Sequence, residues 1–167
     1  EVVGNRFLVN GKEVKFRGVW GENMTALKAV NANHTRQKWV TEQFLDECDR
    51  LGMYVLDENP VDFAKYGAES DPQFAYQWLR LIADLMERDF SHPSVIMWGL
   101  GNESLHGPNV LKTFKYVQAM DSQRPAMFSW ANRVPVNEEL PYSIYSSHYP
   151  DLNDPNLYLG DYTVAKW

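Results

Sequence analysis

The chain alternates between short apolar runs and longer amphipathic segments along most of its 167 residues. The short runs predict strands at residues 29–35, 53–56, 95–100, 126–130 and 143–147, with a weaker candidate at 157–160. Apolar residues recur at helical spacing over residues 39–51, 72–90 and 109–122, which predicts helices there. Strands that alternate with helices are typical of parallel β/α units, so the sequence predicts an α/β fold.

The amino-terminal residues 7–16 predict a β-hairpin, because Asn10-Gly11 is a preferred two-residue turn between strands. The second arm continues into residues 16–20, a further strand candidate. Only about eight residues then precede the next strand, which is too few for the usual helix and its loops. Residues 150–157 form a similarly short connection. We therefore expect either that helices are missing at these two places or that the chain is abridged there.

Composition excludes several classes of partner. The net charge of -6 leaves no basic stripe to bind nucleic acid or an anionic membrane surface. No apolar run approaches the roughly 18 to 20 residues of a membrane span. Cys48 is the only cysteine, which predicts a buried thiol and no internal disulfide. We expect a soluble protein, whether cytoplasmic, periplasmic or secreted.

The strongest chemical signal lies at residues 95–104, where an apolar strand ends in small residues, an amide and a carboxylate. The carboxyl ends of strands face the active site in parallel β/α barrels, so Glu103 is expected to point into a pocket. A carboxylic acid there can deliver a proton to a poor leaving oxygen. Asn102 beside it can bond a substrate hydroxyl. The alternative is that Asn102-Glu103 caps the following helix.

The run from Trp98 to Ser104 closely resembles the acid/base signature of glycoside hydrolase family 2, particularly its β-galactosidases, with Gly99 where a serine is common. Residues 7–20 resemble the family's hairpin and first barrel strand, residues 48–58 its passage into strand three, and residues 91–94 the segment before the acid/base strand. The resemblance covers nearly the whole chain. It implies a TIM-type β/α barrel, β-sandwich domains before it, and a double displacement that retains anomeric configuration.

A complete eight-stranded barrel typically needs about 250 residues, so we expect a shortened or partial barrel with about six to seven strands. Residues 1–167 are expected to form a single domain or a fragment of one. Open barrel edges would promote pairing with another chain, so self-association or missing domains are expected to cover them.

The resemblance also assigns candidate substrate-binding residues. Arg36, in an Asn-x-x-Arg sequence, and Glu58 fall at family positions near the sugar, and His148-Tyr149 matches a segment that approaches the substrate. Trp130 ends the strand predicted at residues 126–130 and can stack on a sugar ring. The alternatives are a surface cation for Arg36, a rim ion pair for Glu58, a structural role for His148 and core packing for Trp130.

A retaining mechanism needs a second carboxylate as nucleophile, about 5 to 5.5 Å from the first. Asp161 stands where the family has a glutamate. Because aspartate is shorter, weak activity is expected if Asp161 fills that role; otherwise it is a loop residue. No cofactor is expected. The resemblance allows a divalent metal, but no second or third ligand has a defined spacing around Glu58.

The sequence therefore predicts a retaining glycoside hydrolase that binds carbohydrate and cleaves terminal β-galactosides, with Glu103 and Asp161 as catalytic residues. Two alternatives remain open. One is a β-glucuronidase or β-mannosidase of the same family. The other is a catalytically weak or inactive carbohydrate-binding barrel fragment.

Overall fold

The computed structural model describes residues 1–129, 141, 142, 144 and 146. Its strands are β1 (Val2–Val3), β2 (Arg6–Val9), β3 (Lys12–Glu13), β4 (His34–Lys38), β5 (Tyr54–Glu58), β6 (Val95–Asn102) and β7 (Ala126–Ser129). Its helices are α1 (Met24–Ala29), α2 (Glu42–Leu51), α3 (Pro72–Asp89) and α4 (Pro108–Met120). The first three strands form a small sheet of their own, and the other four form the main sheet.

The main sheet is parallel, with strand order β4-β5-β6-β7. Helices α2, α3 and α4 connect successive strands. Single parallel bridges extend the sheet at both edges, from Gly18 to His34 and from Met127 to Ile144. The predicted α/β class is confirmed. The strand predicted at residues 16–20 is wrong as a strand, since that segment contributes only the bridge at Gly18.

The main core lies between this sheet and its helices. Buried side chains from both layers contribute to it, including Leu45, Cys48, Ile82, Trp98, Leu100, Val110 and Val117. Full burial of one such aliphatic side chain stabilises the fold by roughly 1.5 to 3 kcal/mol. The sulfur-bearing side chain of Cys48 is fully buried, as predicted. Helix α3 begins as predicted, because Asp71 caps it by accepting a bond from the amide of Gln73 and Pro72 follows.

The predicted amino-terminal hairpin is confirmed, with shorter arms. Strands β2 and β3 pair antiparallel, Val9 opposite Lys12. Asn10 and Gly11 both have positive φ, 50° and 75°, which the primed hairpin turns require. The rings of Phe7 on β2 and of Phe16, which lies after β3, pack edge to face with their centroids 4.9 Å apart. Both belong to a second apolar cluster on the sheet, which joins the hairpin to β5, β6 and β7.

The strand predicted at residues 29–35 is wrong, and so is the expected absence of a helix before it. Helix α1 ends at Ala29, and β4 begins only at His34. Asn23 starts the helix by accepting a bond from the amide of Ala26. Strand β4 is polar, yet Gln37 is buried because its amide donates to the carbonyl of Gly21 at 2.7 Å. Polar side chains that are buried because they are hydrogen-bonded leave no apolar pattern in the sequence, so such a strand is not predicted from hydrophobicity.

Two segments that the sequence singled out separately lie together in the fold. The carboxylate of Asp49 on α2 accepts a bond from the amide of Ser94 at 2.8 Å and lies 2.7 Å from Nδ1 of His92. Burial raises the pKa of Asp49, but these bonds outweigh it and hold that pKa below its ordinary value. They fix the loop that leads into β6, and thereby the strand that ends at Glu103.

Candidate active site

A cleft of about 830 Å³ lies at the carboxyl ends of β4 and β6. Its lining comes from the ends of these strands and from the loops beside them: Trp20, Glu22, Arg36, Gln37, Lys38, Trp39, Asp62, Phe63, Asn102 and Glu103. Ligands of parallel β/α folds bind at this end of the sheet. Three of the predicted site residues, Arg36, Asn102 and Glu103, therefore line one cleft.

Glu103 follows β6 directly and has a left-handed backbone, with φ of 45°. Its amide donates to the carbonyl of Ser129 at 2.9 Å, which ties it to β7. A left-handed conformation costs a non-glycine residue on the order of 1 kcal/mol and persists where the surroundings impose it, often at functional sites. Asn102 is held equally firmly, since its amide donates to the carbonyl of Val61 at 2.8 Å.

The alternative that Asn102-Glu103 caps the next helix is wrong. Helix α4 starts at Pro108, and its N-cap is Gly107, which makes no side-chain cap bond. The intervening loop is instead held by the loop after β5. The amide of Leu105 donates to the carbonyl of Ala64 at 2.9 Å, and the Ser104 hydroxyl accepts from the amide of Ala64 at 2.9 Å.

Arg36, Glu58 and Asn102 form one hydrogen-bonded network. The guanidinium of Arg36 donates to both carboxylate oxygens of Glu58, at 2.7 and 2.9 Å. The same group donates to Oδ1 of Asn102 at 2.6 Å. Glu58 is fully buried beneath the cleft, where a two-pronged arginine pair is the arrangement that best compensates a buried carboxylate. An ion pair for Glu58 is present, but it is buried beneath the cleft and not at a rim, and the role of Glu58 near a sugar stays a prediction.

Gly99 makes room for this network. A Cβ atom at Gly99 would lie 2.8 Å from Cγ of Glu58 and 2.9 Å from Cδ2 of Leu56. Contacts this short do not occur without displacement of a neighbour. A glycine on β6 therefore allows the buried carboxylate of the adjacent strand to lie across it and reach Arg36.

Several cleft residues escaped the sequence prediction. Lys38 ends β4, Asp62 follows β5, and the side chains of Trp39 and Phe63 are 71% and 55% exposed at the cleft. The usable signal was positional, because residues just after the carboxyl ends of parallel strands meet at one edge of the sheet.

The other predicted site residues, Trp130, His148, Tyr149 and Asp161, lie outside the described residues, as does the strand predicted at 157–160. Their roles stay predictions, as does the single domain over residues 1–167. Among the described helices none is both long and apolar enough to cross a membrane.

A second cavity, of about 770 Å³, lies at the opposite end of the sheet. Its floor is a paired cluster: Arg124 forms an ion pair with Asp121 at 2.5 Å, and its guanidinium stacks on Phe90 and Trp98 at 4.4 and 4.8 Å. The indole of Trp98 also donates to Asp121 at 2.9 Å. These mutually satisfied groups stabilise the end of the barrel opposite the cleft.

Comparison with known proteins agrees with this arrangement. A family model described as glycosyl hydrolases family 2, TIM barrel domain, matches residues 20–166. The β-galactosidase of Pseudoalteromonas haloplanktis is 27% identical over 190 aligned positions, covering 100% of this chain and 18% of that protein. A β-glucuronidase structure from an uncultured Clostridium sp. matches with a TM-score of 0.70 and 23% identity, covering 78% of this chain and 28% of that one.

A GH2 β-galacturonidase from Eisenbergiella tayi, bound to galacturonate, matches with a TM-score of 0.71 and 21% identity, over 78% of this chain and 28% of that one. At these identities the structural likeness establishes the fold alone, which is the predicted β/α barrel. The chain spans only 18% of the length of the Pseudoalteromonas relative. Because the family model matches most of its residues, the chain belongs to glycosyl hydrolase family 2 and falls within its TIM barrel domain.

Proposed function

We propose that the chain carries the acid/base half of a retaining glycoside hydrolase that cleaves terminal β-galactosides, with Glu103 as the acid/base. The observation that carries this proposal is the placement of Glu103: it lies in a cleft at the carboxyl end of the sheet, held in a left-handed conformation beside a buried Arg36–Glu58–Asn102 network. The curated relative described above is a β-galactosidase.

In the proposed reaction, Glu103 protonates the glycosidic oxygen as the bond breaks and later removes a proton from water. Asn102 orients the sugar. Because its Oδ1 accepts from Arg36, its amide NH₂ group is the part turned toward a substrate hydroxyl, to which it would donate. A second carboxylate must attack the anomeric carbon from the other face, and Asp161 is our candidate.

A neutral sugar fits the charges of the cleft better than a uronic acid does. Arg36 already compensates Glu58, and Lys38 forms ion pairs with Glu58 and Asp62. A sugar carboxylate would have to compete with these acids for the same cations. The matching solved structures include a β-glucuronidase and a β-galacturonidase, so a uronide is the second candidate substrate. Hydrolysis of a β-mannoside and sugar binding without hydrolysis are further outcomes that the test distinguishes.

The proposed chemistry uses no cofactor. The positive charge that a divalent cation would bring to Glu58 is already supplied by the guanidinium of Arg36 at 2.7 Å and the ammonium of Lys38 at 3.4 Å. These residues therefore do not fit a metal site at Glu58. A separate group of possible ligands, Asp46, Asp49 and His92, lies away from the cleft, where Asp49 and His92 are already bonded to each other.

The test is hydrolysis of aryl β-galactoside, β-glucuronide and β-mannoside by the chain and by Glu103→Gln and Asp161→Asn. We expect turnover of the aryl galactoside, and with an alkyl β-galactoside a loss of at least about a hundredfold in Glu103→Gln, the usual contribution of general acid catalysis. Glu87→Gln, a change at an exposed position of α3, is the matched control and should retain full activity.

The leaving group makes the test more specific. An aryl group that departs without protonation should restore the first step in Glu103→Gln, whereas an alkyl leaving group should not, because only the latter needs the acid. Equal loss with both would contradict the acid/base role. Galactose binding without turnover by the unmodified chain would instead support a binding fragment.

A further inference from the structure

Lys38 lies at the centre of the charges in the cleft. It is the last residue of β4, its side chain is only 11% exposed, and the strand register places it opposite Glu58. Its ammonium forms an ion pair with Asp62, lies 3.4 Å from Oε1 of Glu58, and sits 5.8 Å from the ring centroid of Trp20. Two acids and an aromatic ring therefore fix this cation in place.

Asp62 connects Lys38 to the backbone that carries Glu103. Asp62 and Asn102 form a parallel bridge, and the amide of Phe63 donates to the carbonyl of Asn102 at 2.9 Å. A change in the position of Asp62 would therefore move the residue that immediately precedes Glu103.

Carboxyl groups outnumber cations among the described residues of the cleft. Among the described residues, the cleft and the layer beneath it hold two cations and four carboxyl groups: Arg36 and Lys38, with Glu22, Glu58, Asp62 and Glu103. Loss of either cation leaves the site more negative. Nearby negative charge favours the protonated form of a carboxyl group, and nearby positive charge favours the ionised form.

We propose that Lys38 is a positioning residue of this site, whose ammonium holds Asp62 beside Asn102 and sets the charge that surrounds Glu103. The inference rests on the proposed function, since it matters for catalysis only if Glu103 transfers a proton. Without the ammonium, Glu103 holds its proton to a higher pH, so a smaller fraction is ionised and able to accept a proton in the second step. Without Asp62, the ammonium favours ionised Glu103, which is then a poorer acid for the first step.

Removal of the Lys38 ammonium and removal of the Asp62 carboxylate should therefore shift the pKa of Glu103 in opposite directions. In the full chain labelled with ¹³C at glutamate side-chain carboxyls, the titration of Glu103 is followed by NMR and assigned by its disappearance in Glu103→Gln. We expect Lys38→Met to raise the midpoint by on the order of half to one pH unit and Asp62→Asn to lower it by a similar amount. Lys38→Arg should restore most of the original midpoint, and the double variant should lie near it.

Lys65→Met is the matched control, because it removes a cation that lies 6.0 Å from the ring of Phe63, beside the same loop. An unchanged midpoint in Lys38→Met, or an equal shift in Lys65→Met, would overturn the proposal. If Lys38→Met does not fold, the predicted downward shift in Asp62→Asn and the unshifted midpoint in Lys38→Arg still decide it. The titration needs no turnover, so an inactive chain would count against the proposed function and leave this result standing.

Discussion

Two adjacent carboxyl groups on β5 show how differently one strand can bury an acid. Asp57 and Glu58 are both fully buried, and they project to opposite faces of the sheet. Glu58 faces the network beneath the cleft and receives two bonds from Arg36. Asp57 faces another acid, Asp89 at the end of α3, and no nitrogen donor of the described residues bonds its oxygens.

The difference lies in how each carboxyl avoids the cost of a buried charge. Glu58 is compensated by the cations of Arg36 and Lys38. Burial, and then the hydrogen bond and charge of Asp89, raise the pKa of Asp57 far above its ordinary value, although Arg88 partly opposes them. The raised pKa favours the protonated form of Asp57 beside Asp89. The charged arrangement belongs to the cleft, and the neutral one belongs to the core.

The largest effect is expected from Glu58→Gln. The substitution keeps the shape of the side chain but leaves Arg36 facing an amide, so a partly buried cation loses its compensating charge. Loss of one partner of a buried pair costs about 3 to 5 kcal/mol of unfolding free energy, which urea denaturation at pH 7 would measure.

The matched control for that prediction is Glu47→Gln, which removes the exposed partner of Arg50 in a pair separated by 4.0 Å. An exposed pair of this kind contributes almost nothing. If Glu58→Gln cost as little as the control, the Arg36 pair would have no role in stability, and the contrast with Asp57 would lose its basis.

Gly99→Ala tests the same pair from the neighbouring strand. The added methyl group would overlap the side chain of Glu58, which cannot move away without leaving Arg36. We expect a loss of about 2 kcal/mol, typical of overpacking in a core, together with reduced turnover. In the Glu58→Ala background the same substitution should cost less, because the contact with Cγ of Glu58 is gone, although the Cβ at position 58 and Cδ2 of Leu56 remain 2.9 Å away.

Gly21→Ala provides the control for this steric argument. A Cβ there would meet only the end of the flexible Leu27 side chain, at 3.3 Å, so it should be tolerated. A Gly99→Ala variant as stable as Gly21→Ala would show that the main sheet can adjust its strand spacing at Glu58.

The sequence predicted the parts of the fold whose signals are local. The helix predicted at residues 72–90 spans Pro72–Asp89, since it has a proline start, a capping aspartate and a long apolar stripe. Strand β6 is entirely buried and correspondingly apolar. Strand β4 was misplaced because its buried side chains are Thr35 and Gln37, whose burial depends on the distant carbonyl of Gly21.

The same difference between local signals and long-range contacts decided which site residues could be predicted. The run ending at Asn102-Glu103 was visible because a strand boundary and a chemical group coincide there. The ion pair of Lys38 with Asp62 was not visible, because it depends on how the loop after β5 places Asp62 beside the end of β4. The approach of Asp89 to Asp57 likewise depends on where α3 ends in space.

The smallest effect is expected from Asp57→Asn, and its size depends on pH. Since the folded-state pKa of Asp57 is raised, the folded protein holds a proton that the unfolded chain releases above about pH 4. The folded protein therefore loses stability as pH rises from there toward the raised pKa, by at most about 1.4 kcal/mol per pH unit.

An asparagine at position 57 donates to Asp89 at every pH and removes that slope. Urea denaturation should find that the stability of Asp57→Asn relative to the unmodified chain rises by up to about 1.4 kcal/mol between pH 5 and pH 6. Asp84→Asn, at an exposed position on α3, should keep the original slope. A slope unchanged in Asp57→Asn would mean that Asp57 is ionised when folded, and that both acids of β5 are buried with their charge.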